Sequence, residues 1–229
     1  MEDLDVIIDQ ANALGHKLEI ISHIKSGKEA SVFRVLFDGK LVAMKVYKDP
    51  DERSCQNVDA YLAGKFYKSL SARKAVIKKN KFGKKLKQEN WIKREFFMLR
   101  KFYESGAVIP KPMLQIDKAI LMELLGDVKI VAPQLIDVEL KKKEAVSAFH
   151  SIVESIRIFW NHGIIHADLS PYNILWWKSK PYIIDFPQSV DARTHPGARA
   201  MLERDLKNVS KYFSKYFVID QKQLEGGFE

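Results

Sequence analysis

His166-Ala167-Asp168-Leu169-Ser170-Pro171-Tyr172-Asn173 is followed by an apolar run, Tyr182-Ile183-Ile184, that ends in Asp185. The reading of this stretch decides the fold. An acid stands at 168, an amide five residues later and a second acid twelve after that. The run before Asp185 has the composition of a short strand. Upstream, Glu144 to Trp160 carries Ala145, Phe149, Ile152, Val153, Ile156 and Phe159 at helical spacing, with Gly163 as the stop. Downstream, Pro196 to Phe213 reads as one more helix, with Pro in its first turn.

The first half of the chain has a different period. Residues 3–14 read as a short helix with Leu4, Ile7, Ile8, Ala11 and Leu14 on one side and Gly15 as its stop. Leu18–Ile24, Ser31–Phe37 and Leu41–Tyr47 alternate, with Gly27 and Asp38-Gly39 between them. This predicts three antiparallel strands joined by hairpins. A helix is predicted from Gln88 to Glu104, with Trp91, Glu95, Leu99 and Phe102 on one face. Gly106 and Pro110 close it, and strands follow at Met113–Ile116 and Ile120–Glu123. Leu124-Leu125-Gly126-Asp127 reads as a hinge. The expected organisation is α+β in two lobes: an N-terminal helix over 1–17, a β-rich lobe over 18–125 with a basic insertion at 65–87, and a reduced helical lobe over 126–229.

The chain has 229 residues, 46% of them hydrophobic, which suits a folded protein of one domain or two small lobes. No apolar run approaches the roughly 18 residues of a membrane span. The acidic start, Met1-Glu2-Asp3-Leu4-Asp5, lacks a basic leader, and the single Cys55 has no internal disulfide partner. A cytoplasmic protein without membrane contact is therefore expected. The net charge of +9 is uneven: Lys65 to Lys87 holds ten Lys or Arg and no acid. Such a block is either a solvated loop or a surface for phosphate-rich material such as RNA.

The order Asp168, Asn173, Asp185 resembles the signature of kinase-like phosphotransferases, in which a catalytic carboxylate precedes two metal ligands. That likeness implies that Asp168 orients the attacking hydroxyl or water and accepts its proton. His166 shapes the loop. Asn173 and Asp185 offer a neutral and an anionic oxygen to Mg²⁺, with Mn²⁺ as the alternative cation. Val42-Ala43-Met44-Lys45 fits the strand that carries the phosphate-holding lysine, and Glu95 supplies the opposite charge that an inward lysine needs. Lys25-Ser26-Gly27-Lys28-Glu29-Ala30-Ser31-Val32 lies where a glycine-rich loop covers the phosphates. Only Gly27 remains of the three glycines, so Ser26, Lys28 and Ser31 are expected to reach phosphate oxygens, with backbone N–H groups assisting. Val32 follows them. Backbone around Glu123 and Leu125, with Met122 behind, is expected to hold adenine.

These residues together resemble the RIO family of atypical serine/threonine protein kinases. Ser26-Gly27-Lys28-Glu29-Ala30 is similar to its phosphate loop, His166 to Ser170 with Asn173 to its catalytic loop, and Ile183 to Gln188 to its metal loop. His195-Pro196 and Arg204-Asp205-x-x-Asn208 resemble its C-terminal helix region. The likeness runs from about residue 20 to 215. It implies an ATP- and Mg²⁺-dependent protein kinase or ATPase acting in maturation of the small ribosomal subunit. Pre-ribosomal RNA would then meet Lys65–Lys87. Ala167 replaces the arginine that usually pairs with an activation-loop phosphate, Ser170 replaces a common lysine, and Pro187 replaces glycine after Phe186. Pro187 confines Phe186 to extended backbone and predicts a metal loop that resists flipping. Two rivals stay open: a nucleotide-controlled RNA- or ribosome-binding module with little phosphotransfer, and a small-molecule kinase of the aminoglycoside or choline type.

Overall fold

The computed structural model describes residues 2–48 and 81–228. Cys55 and most of the basic block Lys65–Lys87 lie outside the described residues, and from 81 to 87 only the backbone is described. The chain divides into two compact units, one within Met1–Met98 and Lys111–Val131, the other Leu99–Pro110 with Ala132–Glu229. The expected lobe boundary at 125 lies inside the first unit, and the short excursion Leu99–Pro110 is not anticipated by the sequence.

In the first unit, β1 (Leu18–Ser26), β2 (Ala30–Phe37), β3 (Lys40–Tyr47), β4 (Pro112–Ile116) and β5 (Ala119–Glu123) form one antiparallel sheet in the order β1-β2-β3-β5-β4. Side chains alternate between its faces. One face carries Val35, Phe37, Val42, Met44, Val46 and Leu121, and α1 (Glu2–Ala13) covers it with Ile7 and Ala11, both fully buried. Leu14, expected on that face, lies past the helix end and is exposed. The β2–β3 turn places Asp38 and Gly39 at positive φ, and the Asp38 carboxylate accepts the Lys17 N–H at 2.8 Å.

Helix α2 (Lys81–Glu104) starts earlier than expected, because the lysines at its start are tolerated in a helix. Glu95, Leu99 and Phe102 are buried as read, but so is Ile92, while Trp91 is only half-buried. The connector after β5 folds back through a bridge between Gly126 and Val131. Gly126 sits at φ +151, and a Cβ there would lie 2.4 Å from the Ile130 carbonyl oxygen. No L-residue with a side chain fits.

The second unit is built on α3 (Lys142–Asn161) and α4 (Ala198–Phe213), with two-stranded pairs β6 (Ile164–Ile165) with β9 (Val190–Asp191) and β7 (Ile174–Trp177) with β8 (Lys180–Ile183). A short α5 (Gln221–Gly226) follows. All six apolar residues expected inward on α3 are buried. Glu144 accepts the Lys141 N–H at 3.0 Å and caps the first turn. Phe102, Phe159 and Phe186 pack with centroids 4.5 to 5.8 Å apart. Pro196 precedes the Gly197 cap and stands outside α4, a correction to its expected place in the first turn.

Candidate functional site

The sequence-predicted residues gather into two clusters, one in each unit. In the first, β2–β3 pairing sets Val32 opposite Lys45 and Arg34 opposite Ala43, and β3–β5 pairing sets Ala43 opposite Met122. Val32, Lys45, Ala43 and Met122 therefore share the sheet face that α1 does not cover. Lys45 Nζ lies 3.6 Å from Glu95 Oε1, with Glu95 only 5% exposed. Beyond the expected Lys45, Glu95 has a second partner: the Tyr47 hydroxyl donates to the same oxygen at 2.5 Å. Trp91 meets the Tyr47 ring edge-on at 4.8 Å. Tyr47 was hidden because its alternation assigns it to the core, and no motif marks its hydroxyl.

The loop between β1 and β2 is held from within. The Gly27 N–H donates to the Ala30 carbonyl at 2.8 Å, and Lys48 Nζ donates to the Gly27 carbonyl at 2.7 Å. Ser26 and Ser31, expected to reach phosphate oxygens, are tied to each other, and Ser26 also to His23. Their hydroxyls are 2.9 Å apart, and Ser26 Oγ lies 2.9 Å from His23 Nε2. Ser31 pairs with Val46 and so lies on the face opposite Lys45. Gly27 and Lys28 are exposed. The Glu123 N–H is taken by the Lys111 carbonyl at 2.8 Å, and Leu125 is buried.

The second cluster is built on strained backbone. Ala167 has φ +64 and Asp185 φ +70, a region that costs an L-residue roughly 1–2 kcal/mol. Several contacts hold the first of these. Asp205 of α4, 1% exposed, accepts the Ala167 N–H at 2.7 Å and the Leu169 N–H at 3.0 Å. Arg204 donates to the Ala167 carbonyl, and Asn208 Nδ2 donates to the Leu169 carbonyl at 3.1 Å. Burial pushes the Asp205 carboxyl up to about 6, against the pull of its two N–H donors. In the sequence, Asp205 and Arg204 stand out only through the family resemblance of Arg204-Asp205-x-x-Asn208. Their contact with a loop nearly 40 residues away carries no local sequence signal.

The loop held this way presents Asp168 to solvent. Asn173 Nδ2 donates to the Asp168 carbonyl at 2.8 Å and to Asp168 Oδ2 at 3.1 Å. Its amide nitrogen is thus spent, and Oδ1 is the atom left for a cation. The Asn173 carbonyl accepts the Ile184 N–H at 2.9 Å, and the Ile184 carbonyl lies 3.0 Å from His166 Nε2. Asp168, Asn173 and the residue before Asp185 form one hydrogen-bonded patch. The His166 ring also packs on Phe186 at 4.8 Å, which suits its expected shaping role.

Residues 31–225 match the family model described as RIO domain. The chain is 33% identical over 205 residues to the serine/threonine-protein kinase rio1 of Schizosaccharomyces pombe, covering 86% of this chain and 38% of that protein. It is 31% identical over 190 residues to the RIO-type serine/threonine-protein kinase Rio1 of Thermoplasma acidophilum, covering 81% of this chain and 91% of that one. Among solved structures, a Rio2 kinase–ADP/Mg²⁺–phosphoaspartate complex from Chaetomium thermophilum matches with TM-score 0.58 and 22% identity, over 90% of this chain and 61% of that one. That likeness speaks for the kinase-like α+β fold. No helix among the described residues is long and apolar enough to cross a membrane.

Proposed function

The chain belongs to the RIO domain family, and from that premise we propose that it is an ATP- and Mg²⁺-dependent serine/threonine phosphotransferase or ATPase. The observation that carries this reading is the hydrogen-bonded patch of Asp168, Asn173 and the Ile184 backbone beside Asp185. Asn173 Oδ1 and the Asp185 carboxylate are hard oxygen donors of the kind Mg²⁺ takes together with nucleotide phosphates. When bound, the cation neutralises charge on the transferring phosphoryl group.

The chain's own residues do the rest. Lys45, oriented by Glu95 and Tyr47, holds the phosphates. Gly27 and Lys28 offer a backbone N–H and a cation to them, and Ser26 and Val32 flank that turn. Backbone near Glu123 and Leu125, with Met122, receives the adenine. Asp168 orients the acceptor hydroxyl or water and takes its proton, while Asn173 fixes its carboxylate. The solved Rio2 complex contains a phosphoaspartate. Asp185 as a transient phosphate acceptor is the corresponding covalent variant here. Hydroxylamine removes such an acyl phosphate and spares a serine or threonine ester.

Replacing Asp168 by Ala is expected to lower turnover about 10³-fold while ATP affinity stays close to wild type. Lys45→Ala is expected to weaken ATP binding itself. Unchanged turnover in Asp168→Ala would overturn the reading in favour of a binding module. Family resemblance supports a cytoplasmic role in small-subunit maturation, with Lys65–Lys87 as the segment for pre-ribosomal RNA. Recovery of Asp168→Ala protein from cells without such RNA at low salt would count against that role.

A further inference from the structure

The solvent face of α4 is more one-sided in charge than its function as a brace for the catalytic loop requires. Leu202, Asp205, Leu206, Val209 and Phe213 face inward. Arg204, Lys207, Lys211 and, just past the helix end, Lys215 are exposed at steps of three, four and four residues. Of the two acids in these turns, Asp205 is buried and Glu203 is held by Arg199 at 3.0 Å. The row starts at the catalytic loop, because Arg204 donates to the Ala167 carbonyl next to Asp168. At its other end the Lys215 ammonium lies 4.2 Å over the Tyr212 ring and 4.9 Å over the Tyr216 ring. The Tyr216 hydroxyl accepts the Leu140 N–H at 3.1 Å, which brings the exposed Lys141, Lys142 and Lys143 to that end. Asp137 and Glu139 are the exposed acids on the same approach.

We propose that this row is a substrate track: it binds an extended acidic polypeptide and delivers a serine or threonine at one end of it to Asp168. The inference rests on the protein kinase reading above and names its substrate class. Like charges in a row repel one another, and an anionic chain laid along them relieves that repulsion. A four-residue step on a helix rises ~6 Å, and alternate side chains of an extended strand are ~6.6 Å apart, so one acid can meet each cation. The row leads to the group that handles a hydroxyl. This favours a protein acceptor over a nucleic acid, which would need no such terminus.

The test uses the full chain and a fluorescein-labelled peptide with one serine followed by about six glutamates, beside a partner peptide with glutamines. Binding is read by fluorescence anisotropy, separately from phosphorylation. The acidic peptide is expected to bind about tenfold more tightly than the neutral one, with the difference lost in Lys207→Ala/Lys211→Ala/Lys215→Ala and reduced by salt. In turnover, the triple variant raises KM for the acidic peptide and leaves peptide-free ATP hydrolysis and kcat unchanged. Equal affinity for both peptides, or a preference that survives the triple variant, overturns the track. So does a loss confined to binding of a single-stranded oligonucleotide. Acidic-peptide binding without phosphorylation keeps the track and sinks the kinase reading instead, so the two failures are distinguishable.

Discussion

Lys45 and Asp168 are positioned by opposite means. Lys45 sits on a regular strand, and a side-chain ion pair with Glu95 sets its head group. Asp168 sits on a loop with Ala167 in left-handed backbone, and α4 grips the main chain on either side of it. In the first region geometry is cheap and the charge pair is the costly element, since two ions are taken from water. In the second the backbone is costly and the side chain itself stays exposed. A sheet can place a residue by period alone. A loop must be held by groups that come from elsewhere in the chain.

The largest effect should come from the grip. Asp205→Ala strands the Ala167 and Leu169 N–H groups in a buried place, each worth ~1–3 kcal/mol, and a loss of a few kcal/mol should appear in urea unfolding. A loss below ~1 kcal/mol would mean that water replaces the carboxylate and that the loop is not held as described. Lys45→Met should cost less than the ~3–5 kcal/mol typical of a stranded buried charge, because Tyr47 still donates to Glu95. Adding Tyr47→Phe should bring the rest of that cost, and strictly additive effects would break the shared-oxygen picture.

A smaller signature is in pH. The Asp205 carboxyl is raised in the folded chain from its ordinary 3.8 to about 6. The folded state therefore binds this proton more tightly than the unfolded state. Its contribution to stability is full below pH 4 and is lost as pH rises through about 6. Asp205→Asn should flatten that slope, measured as unfolding free energy at intervals between pH 4 and 7. The smallest effect is expected at Ala167. Glycine there relieves left-handed strain but gains freedom when unfolded, so Ala167→Gly should raise stability by less than about 1 kcal/mol. A clear loss would show that the buried methyl matters more than the backbone.

What the sequence disclosed follows the same divide. Lys45 with Glu95, the hairpins that join β1, β2 and β3, and the helical stripe of α3 were legible because period and charge pairing are local rules. Asp168, Asn173 and Asp185 were legible as a pattern, but the bonds that hold them were not. Asp205 and Asn208 act across the fold, and Tyr47 was masked by its role in the core. Ser31 stands just inside β2, where alternation turns its side chain to the face opposite Lys45, a placement that the loop motif alone does not mark.

The Glu95 carboxylate is also a built-in spectroscopic reporter. One of its oxygens receives both the Tyr47 hydroxyl and the Lys45 ammonium, while the other is buried without a hydrogen bond among the described residues. So lopsided a group splits its two carbon–oxygen stretches. Whatever draws the ammonium away restores part of the symmetry. Isotope-edited infrared difference spectra at this one side chain would therefore register ligand arrival directly, with no dye attached and no turnover required.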